Sequence, residues 1–510
     1  MPAHSRTYNS IANSLYGILA STVTIVLNFV VRVVLVRQLG EEINGLNSLF
    51  LSITNVMLLM EMGIGSAMII HLYEPVKNND EQMVKGIMAF YRKVYLYVAL
   101  AFSVISILVA IFLIDHLVTT TLPMMRVRLY FVLFTCSFAV NYLTYYKRSL
   151  LFAEQKNRVS AMVTAGCEVV FRSLQILTLL VYQEYALFVI LLSFEKLTAN
   201  IICSHYVNKH FPYLRGRNDA VLPREKKQAI FATVKPLMVN QTANTVQQSS
   251  SSILISILLG SISIVGYFGN YLLISSVVKL AYSQLGGAFT TSFGNLATEK
   301  NKRHMQEVFR KTTFILSWIA CLCCSAFVVC ASDFIYIVFG KNFVLDVGSV
   351  ILIALNMTVY LINIPVISVQ NAMGLHRYDA RNMVFQALTA IALGYVFGRL
   401  WGMHGILSGT LLSIVCFTLI GKGIIIGRVA MDFGAREYMK FMGFEVGKIL
   451  LVTAISFAIC SQLALQVSVW SIISYIFVAL LVSIVVPATL SFRSTEYKET
   501  IKLIEKTIKR

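Results

Sequence analysis

K-P-L-M-V-N-Q-T-A-N-T-V-Q-Q-S-S-S-S, residues 235–252, runs without a break into I-L-I-S-I-L-L-G, residues 253–260. Between Lys235 and Lys279 the chain carries no charge at all. As a helix this stretch is long enough to cross a bilayer, which takes about 20 residues. A helix this rich in amides and hydroxyls is stable in hydrocarbon only where those groups face other protein or a wet path. The stretch lies near the midpoint of 510 residues, of which 57% are hydrophobic and 13% charged. It predicts a helical bundle with a polar interior, and it opens the second of two related halves.

The rest of the chain agrees with that class. Mean hydropathy is +0.73, and a soluble protein has no way to cover so much apolar surface. Apolar runs recur and predict an all-α polytopic membrane protein of about fourteen spans. The formal charge of +19 would suggest nucleic acid in a soluble protein. Here it reads as the basic bias of cytoplasmic loops. With the N-terminus inside, 33 of the 43 lysines and arginines fall on inner segments and five on outer ones. Both termini are therefore expected in the cytoplasm of a cell-membrane protein. Met1–Ser14 is polar, so a cleavable leader is not expected. The loops are too short for a soluble catalytic domain. No G-x-x-x-x-G-K-[ST] loop occurs, so neither an enzyme nor an ATP-driven motor is expected. Of nine cysteines, Cys321, Cys323 and Cys324 share one predicted helix; their spacing points them to different faces and suits packing rather than a metal. In the basic tail, Tyr497, Ile501, Ile504 and Ile508 fall on one helical face, as in an interfacial helix near anionic lipid.

Two matches reveal an internal repeat. L-G-E-E-I-N-G-L-N-S-L-F from Leu39 parallels L-G-S-I-S-I-V-G-Y-F-G-N-Y-L-L-I from Leu259. L-F-A-E-Q-K-N-R-V from Leu151 parallels A-M-G-L-H-R-Y-D-A-R from Ala372. In the first pair, Leu-Gly marks a helix exit and a second glycine the next helix entry. An even number of spans between partners makes the repeats parallel. The expected organisation is a first lobe over residues 1–214, a second over 215–430, and two further helices with the basic tail over 431–510.

A few polar groups remain inside the predicted spans. Thr24, Asn28 and Arg32 recur every fourth residue on one face of the first span. Glu61 lies in E-M-G-I-G-S-A. Glu168 and Arg172 stand four apart, which allows either a mutual ion pair or separate ligand contacts. Glu195 and Lys196 follow in the sixth span and Lys279 in the eighth, whereas spans nine to fourteen read as lacking comparable charge. Such groups are costly in hydrocarbon and face the bundle interior or a cavity. On the seventh span Asn240, Asn244, Gln247 or Gln248, and Ser251 make a neutral stripe, the repeat counterpart of Thr24–Asn28–Arg32. Cations at Arg32, Arg172 and Lys279 beside amides at Asn28, Asn240, Asn244, Gln247 and Gln248 suit an anionic, hydroxyl-rich ligand. Glu61, Glu168 and Glu195 are candidates either for structural anchoring or for coupling to H+ or Na+. No other cofactor and no metal are expected.

The runs from Leu39 to Tyr95, with L-Y-E-P-V-K-N-N-D and F-Y-R-K-V-Y, from Ser251 to Ile274, and G-N-L-A-T-E-K from Gly294 resemble bacterial polysaccharide transporters of the Wzx type. These belong to the multidrug/oligosaccharidyl-lipid/polysaccharide exporter superfamily. The resemblance implies two facing six-helix lobes. It implies as cargo an undecaprenyl-pyrophosphate-linked oligosaccharide, flipped across the inner membrane for capsule, exopolysaccharide or O-antigen, with a polymerase and other assembly proteins as partners. It also implies a pyrophosphate-binding role for Arg32. Where relatives often carry an Asp before the I-L-I-S run, this chain has Ser251 and Ser252, so coupling through that position is not expected. The rival readings are a multidrug/cation antiporter of the same fold, a lipid II flippase, and a polymerase or ligase. The antiporter should carry acids in spans seven and eight, which hold none; the polymerase needs large outer loops.

Overall fold

The computed structural model describes residues 6–61, 63–154, 156–214, 220–299, 301–494 and 496–500. Among these, seventeen α-helices are joined by one π-helix and three single 3-10 turns, with no strand. Ten helices are long and apolar enough to cross a membrane. Two of them hold a pair of arms each. The chain clusters into two compact units: Met1–Thr245 with Gly260–Gly266, and Val246–Leu259 with Tyr267–Arg510.

The first unit contains α1 (Arg6–Met57), α2 (Ile64–Lys77), α3 (Glu81–Phe112), α4 (Ile114–Leu117), α5 (Met124–Tyr145), α6 (Arg148–Ala153), α7 (Asn157–Val181), α8 (Tyr185–His210) and the start of α9 (Arg224–Leu259). α1 packs on α7, and α5 on both α3 and α8. Gly40 breaks α1 at φ 81, and Gly260 ends α9 at φ 60, the left-handed region that glycine enters without penalty. These are the two Leu-Gly exits read from the repeat. Their partner glycines touch one another inside this unit. A Cβ on Gly45 would lie 2.1 Å from the Ile262 carbonyl oxygen, and one on Gly266 2.9 Å from the Gly45 nitrogen. Glu42, just past the Gly40 break, accepts from the Thr121 N–H (2.6 Å) and hydroxyl (2.9 Å). The hydrogen-bonded Arg128 guanidinium holds the Asp115 carboxyl below the usual carboxylate range.

The second unit takes the end of α9, most of α10 (Ile262–Glu299), α11 (Lys302–Phe339), α12 (Val347–Ile362), α13 (Ile364–Met373), α14 (His376–Ser413), the π-segment Ile414–Lys422, α15 (Gly423–Met431), α16 (Ala435–Leu463) and α17 (Val469–Ser491). α16 and α17 pack on α11 within it. α14 folds back on itself at Trp401 and Gly402, the latter at φ 58. The two arms approach through glycine: a Cβ on Gly405 would sit 1.9 Å from the Phe397 carbonyl oxygen, and one on Gly409 2.6 Å from the Gly394 nitrogen. Leu254 and Leu258 of α9 lie over Gly394 and Gly398, the small-residue packing that lets membrane helices come close.

The start of α12 is capped by a side chain. Asp346 accepts from the Ser349 N–H at 2.9 Å and its hydroxyl at 2.8 Å, and lies 2.7 Å from His404 Nε2. Asp346→Ala is expected to lose about 1 kcal/mol, read as a lower melting temperature of the purified protein, while Asp346→Asn, which still caps, melts close to wild type. The tail begins by docking on protein rather than lying free: Tyr497 stacks on Trp318 with ring centroids 6.1 Å apart, and Lys311 pairs with Glu499 at 2.7 Å. Ile501, Ile504 and Ile508 of the expected interfacial stripe lie outside the described residues.

Candidate functional site

In the first unit the polar groups gather where α1, α7 and α8 meet. The three-residue face on α1 is present: Arg32 Nη2 donates to the Ser48 hydroxyl at 2.7 Å, which itself donates to the Asn44 carbonyl at 2.9 Å. Asn28 is half-buried one turn away, and the Thr24 hydroxyl donates to the Glu168 carboxylate. Glu168 is thus engaged from α1, and the expected Glu168–Arg172 pair is not the one that forms. Arg172 reaches across to α8, with Nε 3.5 Å from Glu195 Oε2. Neither of those two atoms makes a hydrogen bond, so the pair is held by charge alone. Arg172 Nη1 donates instead to Gln175 Oε1 at 2.8 Å. Spacing along one helix allowed an i, i+4 pair, but side chains from neighbouring helices took both partners. Lys196, half-buried beside Glu195, places Nζ 3.2 Å from the Phe138 ring centroid, a cation–π contact.

Glu61 sits where the helix is interrupted. α1 ends at Met57, a 3-10 turn covers Leu58–Met60, and Gly63 at φ 90 opens α2. The Tyr95 hydroxyl donates to Glu61 Oε1 at 3.3 Å, and the Tyr142 ring stacks on Tyr95 at 6.0 Å. Among the described residues no basic group lies within ion-pair distance of Glu61.

The remaining expected residues divide between the units. Asn244 is exposed and belongs to the first; Gln247, half-buried, and Gln248, exposed, belong to the second. The side chain of Asn240 lies outside the described residues. Ser251 of the stripe is buried, and so are Ser249, Ser250 and Ser252 beside it, where one face had been expected. Lys279 is half-buried on α10, with Nζ 5.3 Å from the Tyr360 ring centroid. Among the described residues no acid pairs with it.

Three buried charge centres escaped the sequence. Arg148 is buried with no carboxylate paired to it among the described residues, bonded to the Ser160 hydroxyl (3.1 Å) and carbonyl (3.3 Å), Asn200 Oδ1 (3.2 Å) and the Thr164 hydroxyl. Lys422 pairs with Asp379 at 3.1 Å and Lys448 with Glu445 at 2.7 Å, all four side chains buried. The second half thus holds two buried ion pairs, where the expectation concerned charge at mid-membrane. These residues lie at span ends, where sequence alone assigns them to cytoplasmic loops. The signal for Lys422 and Asp379 was present as opposite charges flanking a helical hairpin, but hairpin closure is invisible to periodicity. The cysteines pack: the Thr358 hydroxyl is 3.1 Å from Cys324 Sγ, and Cys321 is buried.

Long apolar helices, with buried charges paired or stacked on rings, define a multi-pass membrane protein. Residues 10–294, more than half of the chain, match the family described as polysaccharide biosynthesis protein, and the chain belongs to that family. No curated protein matches in sequence. Among solved structures, the lipid II flippase MurJ in an inward closed conformation aligns with TM-score 0.68 at 13% identity, over 96% of this chain and 100% of that one. An inward-facing multidrug resistance MATE family transporter of the MOP superfamily aligns with TM-score 0.65 at 12% identity, over 82% and 98%. A MOP superfamily transporter from Pyrococcus furiosus aligns with TM-score 0.51 at 12% identity, over 87% and 96%. At such identities the likeness is one of fold.

Proposed function

We propose that this protein flips an undecaprenyl-pyrophosphate-linked oligosaccharide from the inner to the outer leaflet of the bacterial cytoplasmic membrane, by alternating access of two lobes. The product feeds capsule, exopolysaccharide or O-antigen assembly, in which a polymerase acts next; the chain itself performs no covalent step. Both termini face the cytoplasm. The observation that carries the reading is Lys279, an ammonium held within an apolar helix against a tyrosine ring, with no acid paired to it among the described residues. A half-buried cation of that kind inside a span favours an anionic cargo. Arg32, bonded to the neutral Ser48, supports the same polarity. Arg172, shared with Glu195, is the weaker of the three cations for this role. Asn28, Asn244, Gln247 and Gln248 offer amides for sugar hydroxyls.

Outward movement of negative charge across an inside-negative membrane is favourable by about 2.3 kcal/mol per charge per 100 mV, so the potential drives part of the cycle. Of the three carboxylates, Glu61 is best placed to carry H+ or Na+. Glu168 is held by Thr24 and Glu195 by Arg172, whereas Glu61 is met by tyrosine hydroxyls, Tyr95 and Tyr142, at a helix break. Arg32→Ala and Lys279→Ala are each expected to slow appearance of a lipid-linked oligosaccharide on the outer leaflet of proteoliposomes by about tenfold or more, the effect of losing one charge-assisted contact. Wild-type rates in both variants would overturn the reading. Lipid II, the cargo of the MurJ relative, is the second reading. Faster flipping of lipid II than of the oligosaccharide carrier would select it.

A further inference from the structure

The second arm of α14 does what no other described helix does. From Ile414 to Lys422 it widens into a π-helix nine residues long. π-turns mostly occur singly, because their backbone packs less well than an α-helix, and they gather at functional positions. Here the widened backbone is held open from outside. Asn382 Nδ2 donates to the Phe417 carbonyl at 2.7 Å, and the Tyr438 hydroxyl donates to the Leu419 carbonyl at 3.1 Å. The Thr418 hydroxyl donates to Gln386 Oε1 at 2.7 Å. Glycine admits these side chains: a Cβ on Gly421 would lie 2.6 Å from Asn382 Oδ1, and one on Gly423 1.9 Å from the Tyr438 hydroxyl. Lys422, the last π residue, is buried and paired with Asp379, which also accepts from Asn382 at 2.8 Å.

These side-chain bonds come from two neighbours, the first arm of α14 and α16. The π register already bonds its carbonyls to the N–H five residues on, with the side-chain donors added to it, whereas an α register bonds them to the N–H four residues on. Each residue of register is worth a turn of about 100° and a shift of about 1.5 Å along the axis. The two states exchange one kind of hydrogen bond for another and so lie close in free energy. We propose that residues 414–422 form a two-register switch. The Asn382 and Tyr438 bonds and the Lys422–Asp379 pair hold the π state, and their release returns the segment to α geometry. Return to α turns α15 about its own axis and re-aims the chain where it leaves, through Asp432 at φ 54, for the two C-terminal helices. The switch works within the second unit and depends on no cargo.

The test uses the full-length protein in lipid nanodiscs. Nitroxides are placed at the exposed Arg377 and Arg428, with Cys416, the exposed cysteine among the nine, replaced by Ser. Pulsed electron–electron resonance then reads the distance across the segment. Wild type is expected to show a main and a minor distance. Asn382→Ala and Tyr438→Phe should each raise the minor population about fivefold, the weight of one hydrogen bond. A single distance, unchanged in wild type and both variants, would overturn the switch. Tyr438→Phe removes one oxygen only, so it decides the matter if Asn382→Ala fails to fold.

Discussion

Gly405→Ala is expected to lower the stability of this protein more than any other single methyl addition among its described glycines. The added Cβ would meet the Phe397 carbonyl oxygen at 1.9 Å and its carbon at 2.3 Å. Both are backbone atoms of the facing arm and have no rotamer to escape into. The arms of α14 must then separate, which also lifts Gly409 from Gly394 and opens the seats of Leu254 and Leu258. Overpacking of a tight core costs about 1–3 kcal/mol, and a backbone-against-backbone clash belongs at the upper end. Gly443→Ala and Gly447→Ala on α16 are internal controls. A Cβ at either meets nothing within 4 Å, so helix propensity alone acts and stabilises by about 0.5–1 kcal/mol. Thermal unfolding in detergent separates the cases. A Gly405→Ala protein that melts with wild type would show that the glycine approach does not hold the hairpin.

Asp379→Leu is expected to be nearly as damaging, and rescuable. Asp379 is fully buried and meets Lys422 at 3.1 Å, Asn382 at 2.8 Å and Gln370 at 3.4 Å. Removing the carboxylate strands a buried ammonium, and breaking one side of a buried pair costs about 3–5 kcal/mol. The double variant Asp379→Leu/Lys422→Met removes both charges. Replacing a whole buried pair by apolar groups is often neutral or better, so the double variant should recover most of the loss. If the single variant is as mild as the double, the pair is not desolvated and the burial argument fails. The same cycle applied to Glu445 and Lys448, at 2.7 Å, should behave alike.

Much of the frame was legible in the residues. Long apolar runs in a chain only 13% charged leave helices in a bilayer as the solution, since every buried backbone group must find its bond within the segment. Gly40 and Gly260 could be read as helix exits because a left-handed residue there needs glycine. The face of Thr24, Asn28 and Arg32 followed from helical period alone. What stayed hidden were the partners. Arg172 chose Glu195 over Glu168, and Glu168 took Thr24. Arg148, Asp379, Lys422, Glu445 and Lys448 read as loop charges but are buried. The glycines at 394, 398, 405 and 409 stood at four-residue spacings, yet nothing marked them as the two faces of one hairpin.

The polar stretch at 235–252 shows where the division falls. Composition and period by themselves determined that it is a helix, that it lies in a membrane and that its amides need company; these are properties of a single helix and its solvent. Only the tertiary structure decided that all four serines at 249–252 are buried and that the chain divides into two units at Thr245, inside this very helix. Which face meets protein depends on distances to helices tens or hundreds of residues away. No local pattern encodes those distances, because any of several neighbours could satisfy the same donor.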